Sequence, residues 1–166
     1  MDYKVPKVSI PVRVVMTAGG LLDGQAFVAD IARDHTGPER LEEMLNEPEL
    51  FMPLVSKGKV YILNKRHLLY MTTSARSEID YYKSLTTITR AEEVRLILRS
   101  GRAVTGTLLV EMPAGMSRVQ DYLNSNRSFL PVLVRGQLAL VSCSGIVSLS
   151  SVHRKVSRKS SARRRR

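Results

Sequence analysis

Apolar residues recur at every second position over short stretches of this chain. Val12, Val14 and Met16 do so around Arg13, and Val94, Leu96 and Leu98 do so around Arg95. A period of two predicts strands with one face in a core and the two arginines on the solvent face. Gly19-Gly20 and Ser100-Gly101 then punctuate a turn into a second strand. Gly24 and Gly106 fall early in that strand, where a glycine marks a bend or bulge in a curled sheet. A short helix follows each pair. In the first, Pro38 suits the opening helical position and "ERLEEML" continues it. In the second, Ser117 is the expected N-cap and Gln120 stands at capping-box spacing. Both helices should stop at an asparagine, Asn46 or Asn124, a residue that tolerates the left-handed backbone of a helix end. Phe51-x-Pro53 and Phe129-x-Pro131 open a third strand, "GKVYILN" and "GQLALVS" form a fourth, and "HLLYMT" and "GIVSLS" a fifth.

The two series are one pattern written twice. Residues 40–71 lie on 118–149 at a shift of 78, with Arg40, Leu45, Asn46, Phe51, Pro53 and Gly58 identical to Arg118, Leu123, Asn124, Phe129, Pro131 and Gly136. Upstream, 12–28 lies on 94–110 at a shift of 82, again with the glycines in register. Duplication explains both windows. The expected fold is mostly β: two tandem five-stranded small barrels, each with an inserted helix, because closure is how a small bent sheet removes its edges. The copies span 8–72 and 93–152. Between them, 73–92 places Ile79, Tyr82 and Leu85 at helical spacing with Ser77 as a candidate cap. Residues 153–166 form the tail.

Charge changes the picture only at that tail. The net charge of +11 is concentrated in Arg154, Lys155, Arg158, Lys159, Arg163, Arg164, Arg165 and Arg166, leaving a body with 18 basic and 15 acidic residues. Such a Ser/Arg-rich segment should be disordered and should bind polyanions in a salt-sensitive way. No apolar run nears the ~18 residues of a membrane span. The N-terminus has no signal-peptide core, and the lone Cys143 forms no internal disulfide. These features fit a cytoplasmic protein.

Catalytic chemistry is not written in the chain. His35, His67 and His153 stand apart from one another, no metal-ligand spacing is present, and the glycine turns lack a Gly-Lys-Ser/Thr. No enzyme activity, cofactor or metal is therefore expected. The best candidate in the body is the turn Asn64-Lys65-Arg66-His67, whose cations, amide and imidazole could hold phosphate and a base. Leu45-Asn46 with Phe51, and Leu123-Asn124 with Phe129, read as a helix stop followed by a core anchor rather than a ligand pocket.

The order strand, glycine turn, "DG" or "TG", strand, then "GKVYILNKRHLLYM" resembles the Sm-like fold of the Sm/LSm proteins and the bacterial Sm-like RNA chaperone. "DYLN", Asp121 to Asn124, is similar to that family's base-recognising Asp…Asn loop. "NKRH" sits where the family places a basic RNA-contacting turn. The family carries its helix before the first strand, whereas here one falls between strands two and three, and the second copy has "SCSG" in place of "NKRH". The resemblance implies a bacterial family of duplicated Sm-like barrels. It also implies a non-enzymatic nucleic-acid-binding protein, with RNA as partner, that uses the Asn64–His67 turn and the tail. The other class left open is an adaptor or assembly module that meets a protein partner, with the basic tail on an acidic surface. Such barrels associate edge to edge, so homo-oligomerisation is left open too.

Overall fold

The computed structural model describes residues 6–87, 89–110, 119–125 and 127–152. In chain order the elements are β1 Lys7–Met16, β2 Leu21–Ala29, α1 Leu41–Asn46, β3 Phe51–Ser56, β4 Lys59–Asn64, a 3-10 turn Lys65–His67 and β5 Leu68–Thr73. After α2 Arg76–Leu85 the same series returns as β6 Arg90–Leu98, β7 Ala103–Val110, α3 Val119–Leu123, β8 Phe129–Val134, β9 Gln137–Ser142, a 3-10 turn Cys143–Gly145 and β10 Ile146–Ser151. The ladders repeat as well as the elements. Val12 faces Gly24 as Val94 faces Gly106, and Ala26 faces Leu54 as Leu108 faces Val132. The last strand of each copy reaches its first strand through an irregular register, near Met16 in one and Ile146 in the other.

The strands make one ten-stranded antiparallel sheet, in the order β10-β6-β7-β8-β9-β5-β1-β2-β3-β4. The two separate closed barrels expected from the sequence are not formed as ladders: the sheet is open. The outer side of β5 pairs with β9 of the other copy rather than with its own β4, with Tyr70 opposite Val141 and Thr73 opposite Leu138. β5 and β9 form a shared wall. Leu138 and Leu140 face a core built mainly from the first copy, with Val14, Leu54 and Met71; Ala139 and Val141 face a core built mainly from the second, with Leu96, Leu108 and Val132. Strand alternation turns one wall to two cores.

Gly24 and Gly106 lie where the neighbouring strand comes close. A Cβ on either would lie 2.4 Å from the Val55 carbonyl oxygen or 2.5 Å from that of Leu133, so the crossing strand could not approach. The hairpin turns are also duplicated: Lys57-Gly58 and Arg135-Gly136 both hold two consecutive positive φ angles, the conformation that matches strand twist in a two-residue hairpin.

Several local expectations are corrected. α1 begins at Leu41, because Glu39 N–H donates to the Ala29 carbonyl and holds the approach, while the Glu43 carboxylate accepts from the Arg40 N–H and closes a capping box. Asn46 ends α1 without left-handed backbone; Glu47 after it is extended. Its carboxamide reaches the other copy instead, accepting from Ser128 N–H (2.8 Å) and Phe129 N–H (2.9 Å) and donating to the Glu42 carbonyl (3.0 Å). Phe129 is buried, but Phe51 is exposed, because none of the described residues covers the outer face of β3 and β4. α2 forms with Ile79 and Tyr82 buried, but its cap is Ala75, whose N–H donates to Thr73 Oγ1; Ser77 lies inside the first turn. The expected Ser117 cap lies outside the described residues, and α3 stops one residue before Asn124.

Candidate nucleic-acid interface

The turn at Lys65–His67 is built by its neighbours. Asn64 Oδ1 accepts from Arg66 N–H (3.0 Å) and starts the turn, while Lys65 N–H donates to the Leu50 carbonyl (2.7 Å). Thr17 N–H donates to the His67 carbonyl (2.9 Å), tying the β1–β2 turn alongside. The second copy repeats this frame: Cys143 N–H donates to Ser128 O and Arg99 N–H to Gly145 O, both at 2.8 Å.

The four residues of "NKRH" separate in role. Lys65 is buried, and its ammonium donates to the carbonyls of Met44 (3.1 Å) and Glu47 (2.7 Å) at the end of α1. Burial lowers its pKa, opposed by nearby Glu49, Glu47 and Glu39. This lysine caps a helix end, and two of its three N–H donors are spent there. Arg66 and His67 are exposed, and Asn64 is spent on the turn.

Because β5 lies against β9, the two 3-10 turns come together at the seam between the copies. Leu69, at the start of β5, packs where a Cβ on Gly145 would stand, 2.7 Å from its Cδ1. Two clefts open there. One, of about 480 Å³, is lined by Leu45, Asn46, Arg66, Arg127 and Phe129, with Glu47 and Glu49 among its other walls. Arg127 is paired with Glu42 and lies over the Tyr122 ring. Leu45-Asn46 and Phe129 thus meet across the seam, each contributed by a different copy. The half-buried Cys143 thiol also borders this cleft, and burial pushes its pKa up, away from nucleophilic character.

The other cleft, of about 520 Å³, is lined by Thr17, Ala18, Arg66, His67 and Arg99, with no acidic side chain among the described residues of its walls. Arg99 is exposed on the β6–β7 turn. It was not legible as a site residue. At the shift of 82 it matches Thr17, which places it beside its own copy's "SCSG" turn, but its approach to "NKRH" needs the β5–β9 ladder. Arg154, Lys155, Arg158, Lys159, Arg163, Arg164, Arg165 and Arg166 lie outside the described residues. Among the described residues no cluster of three His, Cys, Asp or Glu could hold a metal ion, and no helix is long and apolar enough to cross a membrane. Comparison with known protein families, curated proteins and solved structures gives no match.

Proposed function

We propose that the protein is a non-enzymatic, RNA-binding tandem of Sm-like small barrels, with the cleft between Arg66, His67 and Arg99 as its specific contact and the basic tail as a nonspecific one. The supporting observation is that three basic side chains from both copies line one cleft with no acid among its described residues. A guanidinium fork matches phosphate oxygens bidentately, so Arg66 and Arg99 suit successive phosphates of a single strand. His67 offers a ring for stacking or hydrogen bonding a splayed base, and the Thr17 hydroxyl a further polar contact. Lys65 acts behind them by fixing the turn.

The test is fluorescence anisotropy with a labelled single-stranded RNA over a salt series. Arg66→Ala with Arg99→Ala should weaken binding at least about tenfold at moderate salt. It should also shallow the log–log salt slope by roughly 1.4, the share of two phosphate contacts on a single strand. Removing residues 153–166 should weaken binding while leaving a component that still needs Arg66 and Arg99. Binding that ignores both arginines and vanishes with the tail would overturn the proposal. A second reading, an assembly module, is favoured by a separate observation: each outer strand of the sheet, β10 and β4, has one edge with no strand partner among the described residues.

A further inference from the structure

The third and fourth strands of the first copy carry an apolar stripe on their outer face. The ladder sets Pro53 opposite Ile62 and Val55 opposite Val60, and Phe51 stands two residues before Pro53, so these five side chains share one side. Phe51 is 56%, Val60 67% and Ile62 64% exposed, and Pro53 is exposed with them. Apolar side chains gathered on one solvent face mark an interaction site, where single scattered ones do not. The second copy holds the same stripe. At the shift of 78 its residues are Phe129, Pro131, Leu133, Leu138 and Leu140, and of these Phe129, Leu138 and Leu140 are 2%, 0% and 1% exposed.

The chain itself shows what covers such a stripe. β5 pairs with the edge of β9, while α1 packs on β8 and α2 on β9. Leu41, Leu45, Ile79 and Tyr82 of these helices share one core with Phe129, Leu138 and Leu140. The cover is helical, and Ile79 and Tyr82 stand three residues apart, the spacing of one helix face. This chain supplies that cover once. Continued past β10, the shift of 78 sets Ser157, Ser160 and Arg163 where α2 has Ile79, Tyr82 and Leu85. The tail therefore lacks the apolar residues of a second α2. A second copy of the chain could bring α3 in the place of α1, but no counterpart of Ile79 and Tyr82.

We infer that the outer face of β3 and β4 is a docking site for an amphipathic α-helix of a partner protein, with aliphatic or aromatic residues at i, i+3 and i+7 and acidic residues in its first turn. Each strand is six residues long. That makes the stripe roughly 20 Å, the length of a helix of about 13 residues. Phe51, Val60 and Ile62 would meet the helix as Phe129, Leu138 and Leu140 meet α1 and α2. The polarity of the partner follows from the same comparison. α2 begins three residues after Thr73, which pairs with Leu138 beside the Arg135-Gly136 turn, so its N-terminus lies at the hairpin end of the stripe. At that end of the first copy Lys57 and Lys59 stand exposed on either side of Gly58. Carboxylates in the first helical turn suit both these lysines and the positive end of the helix dipole. The site uses none of the cations of the seam clefts, so it is independent of RNA binding.

The probe is a synthetic peptide of residues 74–87, α2 with its flanks, because that helix already covers the equivalent stripe. It is titrated into the isotope-labelled full chain and followed by NMR. Signals of Phe51, Val60 and Ile62 should shift and saturate with a Kd below about 1 mM. Ile62→Glu in the protein, and separately Ile79→Glu in the peptide, should each weaken binding at least about tenfold. The protein variant should keep the wild-type melting midpoint, since Ile62 is exposed. Arg76→Glu in the peptide replaces a cation near Lys57 and Lys59, and should tighten binding about threefold at low salt. A peptide that leaves those signals unmoved, or that binds Ile62→Glu as tightly as wild type, would overturn the inference. Weaker binding by the Arg76→Glu peptide would overturn the acidic first turn. Self-association of the chain alone in sedimentation velocity, lost with Ile62→Glu, would assign the face to a second copy and overturn the partner helix.

Discussion

Glu78 is a carboxylic acid in the wrong place for its charge. It is buried on α2, and its Oε2 has no hydrogen-bond partner among the described residues. Burial raises its pKa from 4.5 to about 7; a backbone hydrogen bond from Leu41 and the charge of Arg40 oppose this, and Glu43 and Glu42 add to it. The folded protein thus keeps a proton that the unfolded chain releases near 4.5. Stability from this residue is full below that pH and declines as pH rises towards about 7. Glu78→Gln removes the titration while keeping the shape. In urea unfolding, the stability of the variant relative to wild type should increase between pH 4.5 and pH 8, by on the order of 3 kcal/mol. A pH-independent difference would mean that the carboxyl is ionised throughout. The sequence shows a glutamate one residue before Ile79, in a stretch with helical spacing; its burial follows from how α2 sits on α1 and the sheet, which no local pattern encodes.

At the scale of elements, the asparagine that ends α1 joins the copies. The Asn46 carboxamide satisfies two backbone N–H groups at the start of β8, one of them on the buried Phe129. Asn46→Ala leaves these donors without partners and should cost about 2–3 kcal/mol in chemical denaturation. The matching change Asn124→Ala should cost under about 0.5 kcal/mol, as exposed substitutions do. Equal costs would show that Asn46 acts only as a helix stop. Most elements were legible. The alternation around Arg13 and Arg95 gave the first strands, the glycines gave the turns, and the repeat placed the third to fifth strands in register. The ends of α1 were less so. Proline at 38 and asparagine at 46 have local preferences, and the Ala29 carbonyl and the Phe129 backbone override both.

For the whole molecule, the shared wall sets the cooperativity. The first core takes Leu109, Phe129, Leu138 and Leu140 from the second copy, and the second takes Leu69 and Tyr70 from the first. A chain ending after Thr87 would lose four buried apolar side chains from its core and expose the edge of β5. Circular dichroism should show it melting broadly and well below the full chain, where the intact protein melts in one step. A sharp melt at the full-length midpoint would show that the first copy is self-sufficient.

By itself the sequence determined the periodicity, the turns and the duplication, because these depend on neighbours within a few residues and on register along the chain. It also placed the cations of "NKRH" on a turn. Only the tertiary structure decided which copy's fifth strand meets which copy's fourth. That pairing buries Leu138 and Leu140 while leaving Val60 and Ile62 bare, and brings Arg99 to Arg66. The physical reason is that backbone hydrogen bonding along a strand edge is blind to side-chain identity, so β5 could take its own β4 or β9. Packing between distant segments selected β9.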